Sequence, residues 1–340
     1  MTLSSVHNAN DFPGLPAIVL ENESLNETEK NQFYTVLIVD DDDVIRDGLV
    51  SYLENFHEAP YQLRVFTSSH PSEAKALMMK QSIDLVITDI NMPGEDGFSL
   101  IDHVQTHFST TKTAMITAYK VDDYVRNAKK TGVFNIIAKT APFDFEELSV
   151  VVNNLLQPET AFGLNRYLRS GHTMDCTVIK NSDDIMIVFN QLQSLLNSVK
   201  MPNVHDVLTA LTEAITNAVY HVAKLPDGSL KYDKGQHIAA LDESEYVYVY
   251  YGQDAERIGI SVTDQGGRIN AEEILFWLDR NISGAGLLDN HGRGVYLIHR
   301  LVDRMLINIM PGKRTEIILL HQINRELKKS TNKPIYINQL

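Results

Sequence analysis

Cysteine is nearly absent. The 340-residue chain has one, Cys176, so it can form neither an internal disulfide nor a cysteine-based metal cage, and the residue reads as a small core side chain. Long apolar runs are also missing. None approaches the ~18 residues needed to cross a bilayer, so no membrane span or membrane partner is expected. Basic charge is scarce, with 30 Lys and Arg against 44 Asp and Glu, a net charge of −14 at pH 7. Nucleic-acid binding draws much of its affinity from Lys and Arg neutralising phosphates, so no nucleic acid is expected as a direct partner. Residues 1–32 have neither the basic start nor the continuous apolar stretch of a signal peptide. They read as a flexible leader, and the protein is expected in the cytoplasm. The segment 326–340, with Lys328, Lys329 and Lys333, reads as a solvated basic tail. No internal repeat is visible.

What is present is a succession of short β-branched runs, Thr35–Val39, Leu63–Phe66, Leu85–Thr88, Ala114–Thr117 and Phe134–Ile137, each followed by a helix-like segment. Near-continuous apolar strands separated by helical crossovers predict a doubly wound parallel α/β domain over 33–157. Pro158, Gly163 and Gly171 interrupt the pattern, and 158–170 reads as a linker. Beyond it, over 171–325, come a strand at Thr177–Lys180 and helices at Ile185–Val199 and Val204–Val222. Two hairpins follow, Tyr246–Tyr251 with Arg257–Thr263 and Met305–Met310 with Thr315–His321. This order predicts a second domain, an α/β sandwich with helices on one side of an antiparallel or mixed sheet. Two hydrophobic cores are expected for a chain of this length.

Ligands of an open parallel sheet bind at the carboxyl ends of its strands. Asp40 and Asp41 follow the first strand, Asp89 the third and Lys139 the fifth, and Thr117 ends the fourth. Three carboxylates brought together repel one another, and a hard Mg²⁺ ion relieves this while neutralising an incoming phosphate. Asp89 can then attack as a carboxylate nucleophile, with Lys139 and the Thr117 hydroxyl positioned for the phosphoryl oxygens. The segments Val36-Leu-Ile-Val-Asp-Asp41, Thr88-Asp-Ile-Asn-Met-Pro-Gly94, Ile116-Thr-Ala118 and Ala138-Lys139 closely resemble the receiver domain of two-component response regulators, with its flavodoxin-like fold. The resemblance implies that Asp89 is the phosphoacceptor and that Asp40, Asp41, Asp89 and the Asn91 carbonyl hold Mg²⁺. It assigns Thr117 and Lys139 to reading the phosphate, and a cognate sensor histidine kinase as donor. Ile136 stands where that family often has an aromatic residue, and Thr140 follows the lysine, with proline displaced to Pro142.

Further along, Glu213 and Asn217 lie one helical turn apart on a common face. The carboxylate suits proton removal from a hydroxyl or water, and the neutral amide oxygen suits a Mg²⁺ ion already carrying triphosphate. Asp264 can accept from an adenine amino group, Gly266-Gly267 allows close backbone approach, and Gly292-Arg293-Gly294 opens an apolar helix, Val295–Met305, whose N-terminus favours phosphate. In order, Leu211-Thr-Glu-Ala-Ile-Thr-Asn-Ala-Val-Tyr-His221, Val262-Thr-Asp-Gln-Gly-Gly267 and His291-Gly-Arg-Gly-Val-Tyr-Leu-Ile298 look like the N, G1 and G2 boxes of the ATPase fold shared by gyrase and histidine kinases. The wording is most similar to its anti-sigma-factor serine kinase branch. The resemblance implies ATP as cofactor, Glu213 as catalytic base, Asn217 as Mg²⁺ ligand and Asp264 at adenine. It also places Thr315 near adenine, and Ile269–His291 as a lid. Arg268 replaces a glycine of the second box, and Lys224–Leu241 lengthens the connection after the first.

Other features read as structural. His103 and His107 share a solvated helix face without an apparent third ligand, and Tyr246, Tyr248 and Tyr250 alternate along a half-exposed strand. A histidine kinase core would need a phosphoacceptor histidine on a dimerising hairpin, and neither His172 nor His205 has that setting. The expected function is therefore a response regulator, phosphorylated on Asp89, that controls a serine/threonine kinase acting on an anti-sigma-factor-antagonist-like protein. The alternative is a nucleotide-binding module that sequesters a sigma factor or antagonist without efficient transfer. Both families commonly form dimers, so a homodimer is possible.

Overall fold

The computed structural model describes residues 32–55, 60–225, 227–286, 292–323 and 332–339. The leader, save Gln32, lies outside the described residues, as do Lys328 and Lys329 of the tail. The five apolar runs form β1 (Phe33–Val39), β2 (Gln62–Ser68), β3 (Leu85–Asp89), β4 (Lys112–Thr117) and β5 (Asn135–Ala138). They pair in parallel, in the order β2-β1-β3-β4-β5. Between and after them run α1 (Asp43–Glu54), α2 (Pro71–Met78), α3 (Gly97–His107), α4 (Val125–Thr131) and α5 (Phe145–Leu156). Local chemistry fixes the helix ends. Asp42 accepts the Val44 and Ile45 amides at the start of α1, Asp144 accepts that of Glu147 in α5, and Gly132, at φ +60°, ends α4 in the left-handed region.

The second half contributes β6 (Thr173–Ile179), α6 (Ser182–Ser198), α7 (Val204–Thr216), β7 (Val247–Gln253) and β8 (Arg257–Asp264). These are followed by α8 (Ala271–Ile282), α9 (Arg293–Leu301), β9 (Arg304–Met310) and β10 (Arg314–Gln322). Both expected hairpins form, as the antiparallel ladders β7–β8 and β9–β10. The helix expected over Val295–Met305 stops at Leu301, because Arg304 onward pairs as a strand.

The tail departs from expectation. Residues Ile335–Gln339 form β11, which lies between the halves, parallel to β9 and antiparallel to β5. One eleven-stranded sheet results, in the order β2-β1-β3-β4-β5-β11-β9-β10-β8-β7-β6. Lys333, expected in solvent, is 5 % exposed, and its ammonium donates to the Val302 carbonyl. The physical reason is the Ile335-Tyr-Ile337 run, whose side chains are buried on both faces as in a central strand. Two cores do form, yet they divide by sheet face rather than by domain. Leu37, Val39, Ile307, Ile309, Ile335 and Ile337 belong to one, and Val36, Ile38, Leu306, Ile318 and Tyr336 to the other. Strand side chains alternate, so each core runs through both halves.

The stretch 158–170 is likewise no free linker. It forms short 3₁₀ turns at Pro158–Thr160 and Leu164–Tyr167, and Ala161, Phe162, Leu164, Tyr167 and Leu168 are buried. Beneath it lies Glu316, 2 % exposed, which accepts from the Gly163 amide at 3.0 Å, Ser261 Oγ at 2.7 Å and Asn308 Nδ2 at 3.0 Å. Burial holds its carboxyl above the usual range against those donors.

Candidate functional site

Strand ends bring the first constellation together. Asp40 follows β1 with its side chain fully buried, Asp89 ends β3, and Lys139 reaches both, its ammonium 2.8 Å from Asp40 Oδ2 and 2.8 Å from Asp89 Oδ1. Oxygens of Asp40, Asp41 and Asp89 all lie within 4.8 Å of one another, with Asp41 exposed at the rim. A cluster of hard oxygen donors beside a single cation suits Mg²⁺, so these residues could hold it. Burial pushes Asp40 and Asp89 above the usual carboxylate range, against the hydrogen bonds and charge of Lys139. Burial also works to lower Lys139, but the two carboxylates outweigh it and the net movement is upward.

The loops around this cluster are held close. The Asn91 amide donates to Asp89 Oδ2 at 3.0 Å, and a Cβ on Gly97 would stand 2.1 Å from the Asp89 carbonyl oxygen, so only glycine lets the loop return so tightly. Ile116 O accepts from the Ile90 amide at 3.0 Å, which sets Thr117, the next residue, beside the end of β3. Thr117 is fully buried, and its hydroxyl accepts from the Tyr119 amide at 3.1 Å. Ile136 is also fully buried and lies opposite Ile335, so β11 covers the edge of β5. Two residues with no sequence signal of their own complete the surroundings. Tyr124, at the start of α4, donates its hydroxyl to Asn91 Oδ1 at 2.6 Å. Asn332, just before β11, accepts the Val121 amide at 2.8 Å and donates to the Tyr119 carbonyl at 2.8 Å.

The second constellation is assembled from helices and hairpins. Glu213 and Asn217 face the start of α9: a Cβ on Gly294 would stand 2.9 Å from Glu213 Oε2 and 3.3 Å from Asn217 Nδ2. From Asn217 the helix becomes a π-helical turn through His221, a distortion frequent at functional sites. Asp264 ends β8 opposite Thr315 of β10, and its Oδ1 accepts the Gly266 and Gly267 amides at 2.8 and 3.1 Å. Burial raises its carboxyl against those amides. The glycine pair makes its close approach to protein: a Cβ on Gly267, at φ +54°, would lie 2.3 Å from the Met310 carbonyl oxygen, and one on Gly266 2.2 Å from Val222. Thus Asp264, Gly266, Gly267 and Thr315 form one group and Glu213, Asn217 and Gly294 another, joined by the turn that ends at Val222. Exposed Lys234, from the lengthened connection, comes within 3.9 Å of Glu213 Oε1.

Arg293 is exposed at the first turn of α9, and Gly292 precedes it at φ +80°. The Trp277 ring of α8 lies directly on Gly292, where a Cβ would be 1.9 Å from it. Asn281 donates to the Gly292 carbonyl at 3.1 Å. The segment expected as a lid is therefore largely a helix docked on α9, and its last residues, 287–291, lie outside the described residues.

Comparison with known proteins gives a family match for each constellation. Residues 36–153 match the response regulator receiver domain, and 183–319 match the histidine kinase-like ATPase domain. The chain is 30% identical over 121 residues to sporulation initiation phosphotransferase F of Bacillus subtilis, a match covering 36% of this chain and 92% of that protein. It is 32% identical over 121 residues to the response regulator protein PilR of Pseudomonas aeruginosa, covering 36% of this chain but 26% of the relative. A solved chemotaxis response regulator, CheY4 of Vibrio cholerae, is 28% identical and covers 37% of this chain and all of that one, with a TM-score of 0.32. The chain belongs to the response regulator receiver family, and it carries a histidine kinase-like ATPase domain behind the receiver. Among the described residues no helix is long and apolar enough to cross a membrane.

Proposed function

We propose that the protein is a response regulator of the cytoplasm whose phosphorylation on Asp89 controls an anti-sigma-type serine/threonine kinase output. The carboxylate of Asp89 attacks the phosphorus of a phosphohistidine on a cognate sensor histidine kinase, or of a small acyl phosphate. An O–P bond forms to Asp89 as the bond to the donor breaks, and the donor leaves with that electron pair. Lys139 faces the phosphoryl oxygens and Thr117 bonds one of them. Mg²⁺, held by Asp40, Asp41, Asp89 and the Asn91 carbonyl, would supply the positive charge that lets the carboxylates accept an anionic donor.

In the second half, Asn217 would ligate the Mg²⁺ that accompanies ATP, and Asp264 with Thr315 would receive adenine. Gly266 and Gly267 would form the pocket wall, and Gly292, Arg293 and Gly294 would cradle phosphates at the N-terminus of α9. Glu213 would take the proton of a serine or threonine hydroxyl on an anti-sigma-factor-antagonist-like protein. The observation that carries this reading is the approach of Gly294 to Glu213 and Asn217, which sets a helix N-terminus beside a carboxylate and an amide of the kinds that base and metal-ligand roles need. Incubating the protein with labelled ATP·Mg²⁺ and an antagonist-like protein should yield phosphoserine or phosphothreonine, and Glu213→Gln should abolish it; unchanged transfer in that variant removes the assigned role.

A second reading, nucleotide-dependent sequestration of a sigma factor or antagonist without transfer, is favoured by the Trp277 ring covering Gly292. Stable capture of the partner with no labelled product in the same assay selects it. Elution volume with and without acetyl phosphate tests a homodimer.

A further inference from the structure

Helix α8 touches receiver helix α4 on one side and the start of α9 on the other. On one side, Asp279 pairs with Lys129 at 2.8 Å and Arg126 at 3.4 Å, both from α4, and the Lys129 ammonium lies 5.2 Å from the centre of the Phe276 ring. On the other, Trp277 covers Gly292 and Asn281 holds the Gly292 carbonyl. Phe276 and Trp277 meet edge to face, with ring centres 5.1 Å apart, so the two contacts adjoin through touching rings. The near end of α4 is tied to the phosphoacceptor: Tyr124 bonds Asn91, whose amide bonds Asp89. A phosphoryl group on Asp89 changes the oxygen that the Asn91 amide bonds, and so acts on the residue to which Tyr124 is anchored.

We propose that α8 is a positioning helix of the nucleotide site, which receiver helix α4 holds over Gly292, and that phosphorylation of Asp89 loosens this hold and uncovers the phosphate position. The proposal rests on the ATP-binding reading and adds a direction to it: the unphosphorylated receiver restrains nucleotide entry. Allosteric couplings amount to about 5- to 150-fold in affinity, and one carboxylate paired with two cations beside an aromatic ring belongs at the lower end.

Trp277 is the one tryptophan of the chain, so its emission reports α8 directly. With the full chain, ATP·Mg²⁺ affinity is measured by calorimetry and Trp277 emission by fluorescence, before and after acetyl phosphate with Mg²⁺. In the wild type, phosphorylation should tighten ATP binding about fivefold or more and shift the emission to the red. Asp279→Lys, which sets like charges against α4, should show both changes without acetyl phosphate and respond little to it. Lys129→Asp combined with Asp279→Lys should restore the wild-type readings, which separates lost contact from lost fold. Wild-type affinity and emission in Asp279→Lys, or no emission change when Asp89 is shown to be phosphorylated, overturns the proposal. If no variant binds ATP·Mg²⁺, the ATP-binding reading fails. The emission arm then decides the coupling alone, a change on phosphorylation supporting it and no change overturning it.

Discussion

Lys139 and Lys234 each approach a carboxylate, and their neighbourhoods differ in what sets the value of such an approach. Lys139 is 12% exposed and ion-paired at 2.8 Å to two buried acids, whereas Lys234 is 62% exposed and 3.9 Å from one. The first site is made of strand ends in a parallel sheet, so its charges converge once the sheet forms. The second is made of helix faces and a hairpin, with α8, the helix between β8 and α9, laid across it. A site of the first kind is complete within its own half, and one of the second kind is open to influence from its neighbours.

The largest effect should come from removing the nucleophile. Asp89→Asn should abolish labelling by acetyl phosphate, whereas Glu213→Gln should label like the wild type; labelling of both would erase the distinction between the sites. Lys139→Ala should lift Asp89 still further above the usual carboxylate range, since the charge and hydrogen bond that lower it are lost. Attack needs the ionised carboxylate, so the labelling rate should fall away at higher pH than in the wild type as the solution is acidified.

Next in size is the strand that the halves share. Ile335, Tyr336 and Ile337 are each at most 2% exposed, and burial of such side chains contributes roughly 1.5–3 kcal/mol apiece as an upper estimate. Removing residues 332–340 should cost about 5 kcal/mol on that basis. Scanning calorimetry should then resolve two transitions in place of one. His299 anchors the same segment, its Nε2 lying 3.2 Å from the Pro334 carbonyl oxygen. Burial lowers its pKa to about 4, from 6.5. Between these values the unfolded imidazole binds a proton that the folded one refuses, so stability falls as pH drops from 6.5 toward 4. The loss is on the order of 3 kcal/mol. Urea titrations at the two ends of that window should show it, and His299→Gln should remove this contribution to the pH dependence. The smallest effect is expected for Lys234→Ala. An exposed pair contributes less than about 1 kcal/mol, so unfolding should hardly change; a large loss would mean that Lys234 is bound into the fold after all.

Much of the first half was legible because each β-branched run is long enough to declare a strand, and a strand end declares a position. Asp40, Asp89, Thr117 and Lys139 needed nothing more. Ile335-Tyr-Ile337 is three residues long after a basic stretch, too short to distinguish a central strand from an end. Its burial comes from partners at positions 135–136 and 306–309, which local periodicity does not reveal. Trp277 and Asp279 fell within the lid expected over Ile269–His291, and nothing in their spacing names α4 and Gly292 as the two surfaces they meet. Glu316 was hidden in a hairpin signature, although a carboxylate between Thr315 and Ile317 must face opposite to both. Gly266 and Gly267 were recognised as sites of close approach, but the approaching groups, Val222 and the 310–314 turn, are set by tertiary packing.

The central position of β11 also bears on the order in which the chain is made. A ribosome delivers β5 and then β9 well before residues 335–339, so each waits with one row of amides and carbonyls bare. Bare strand edges are templates for pairing with other chains. β5 is only four residues long, which limits what can dock on it during that wait. The nascent protein therefore has a heightened tendency to self-associate just before β11 emerges, and a slow stretch of translation after residue 310 would prolong that exposure.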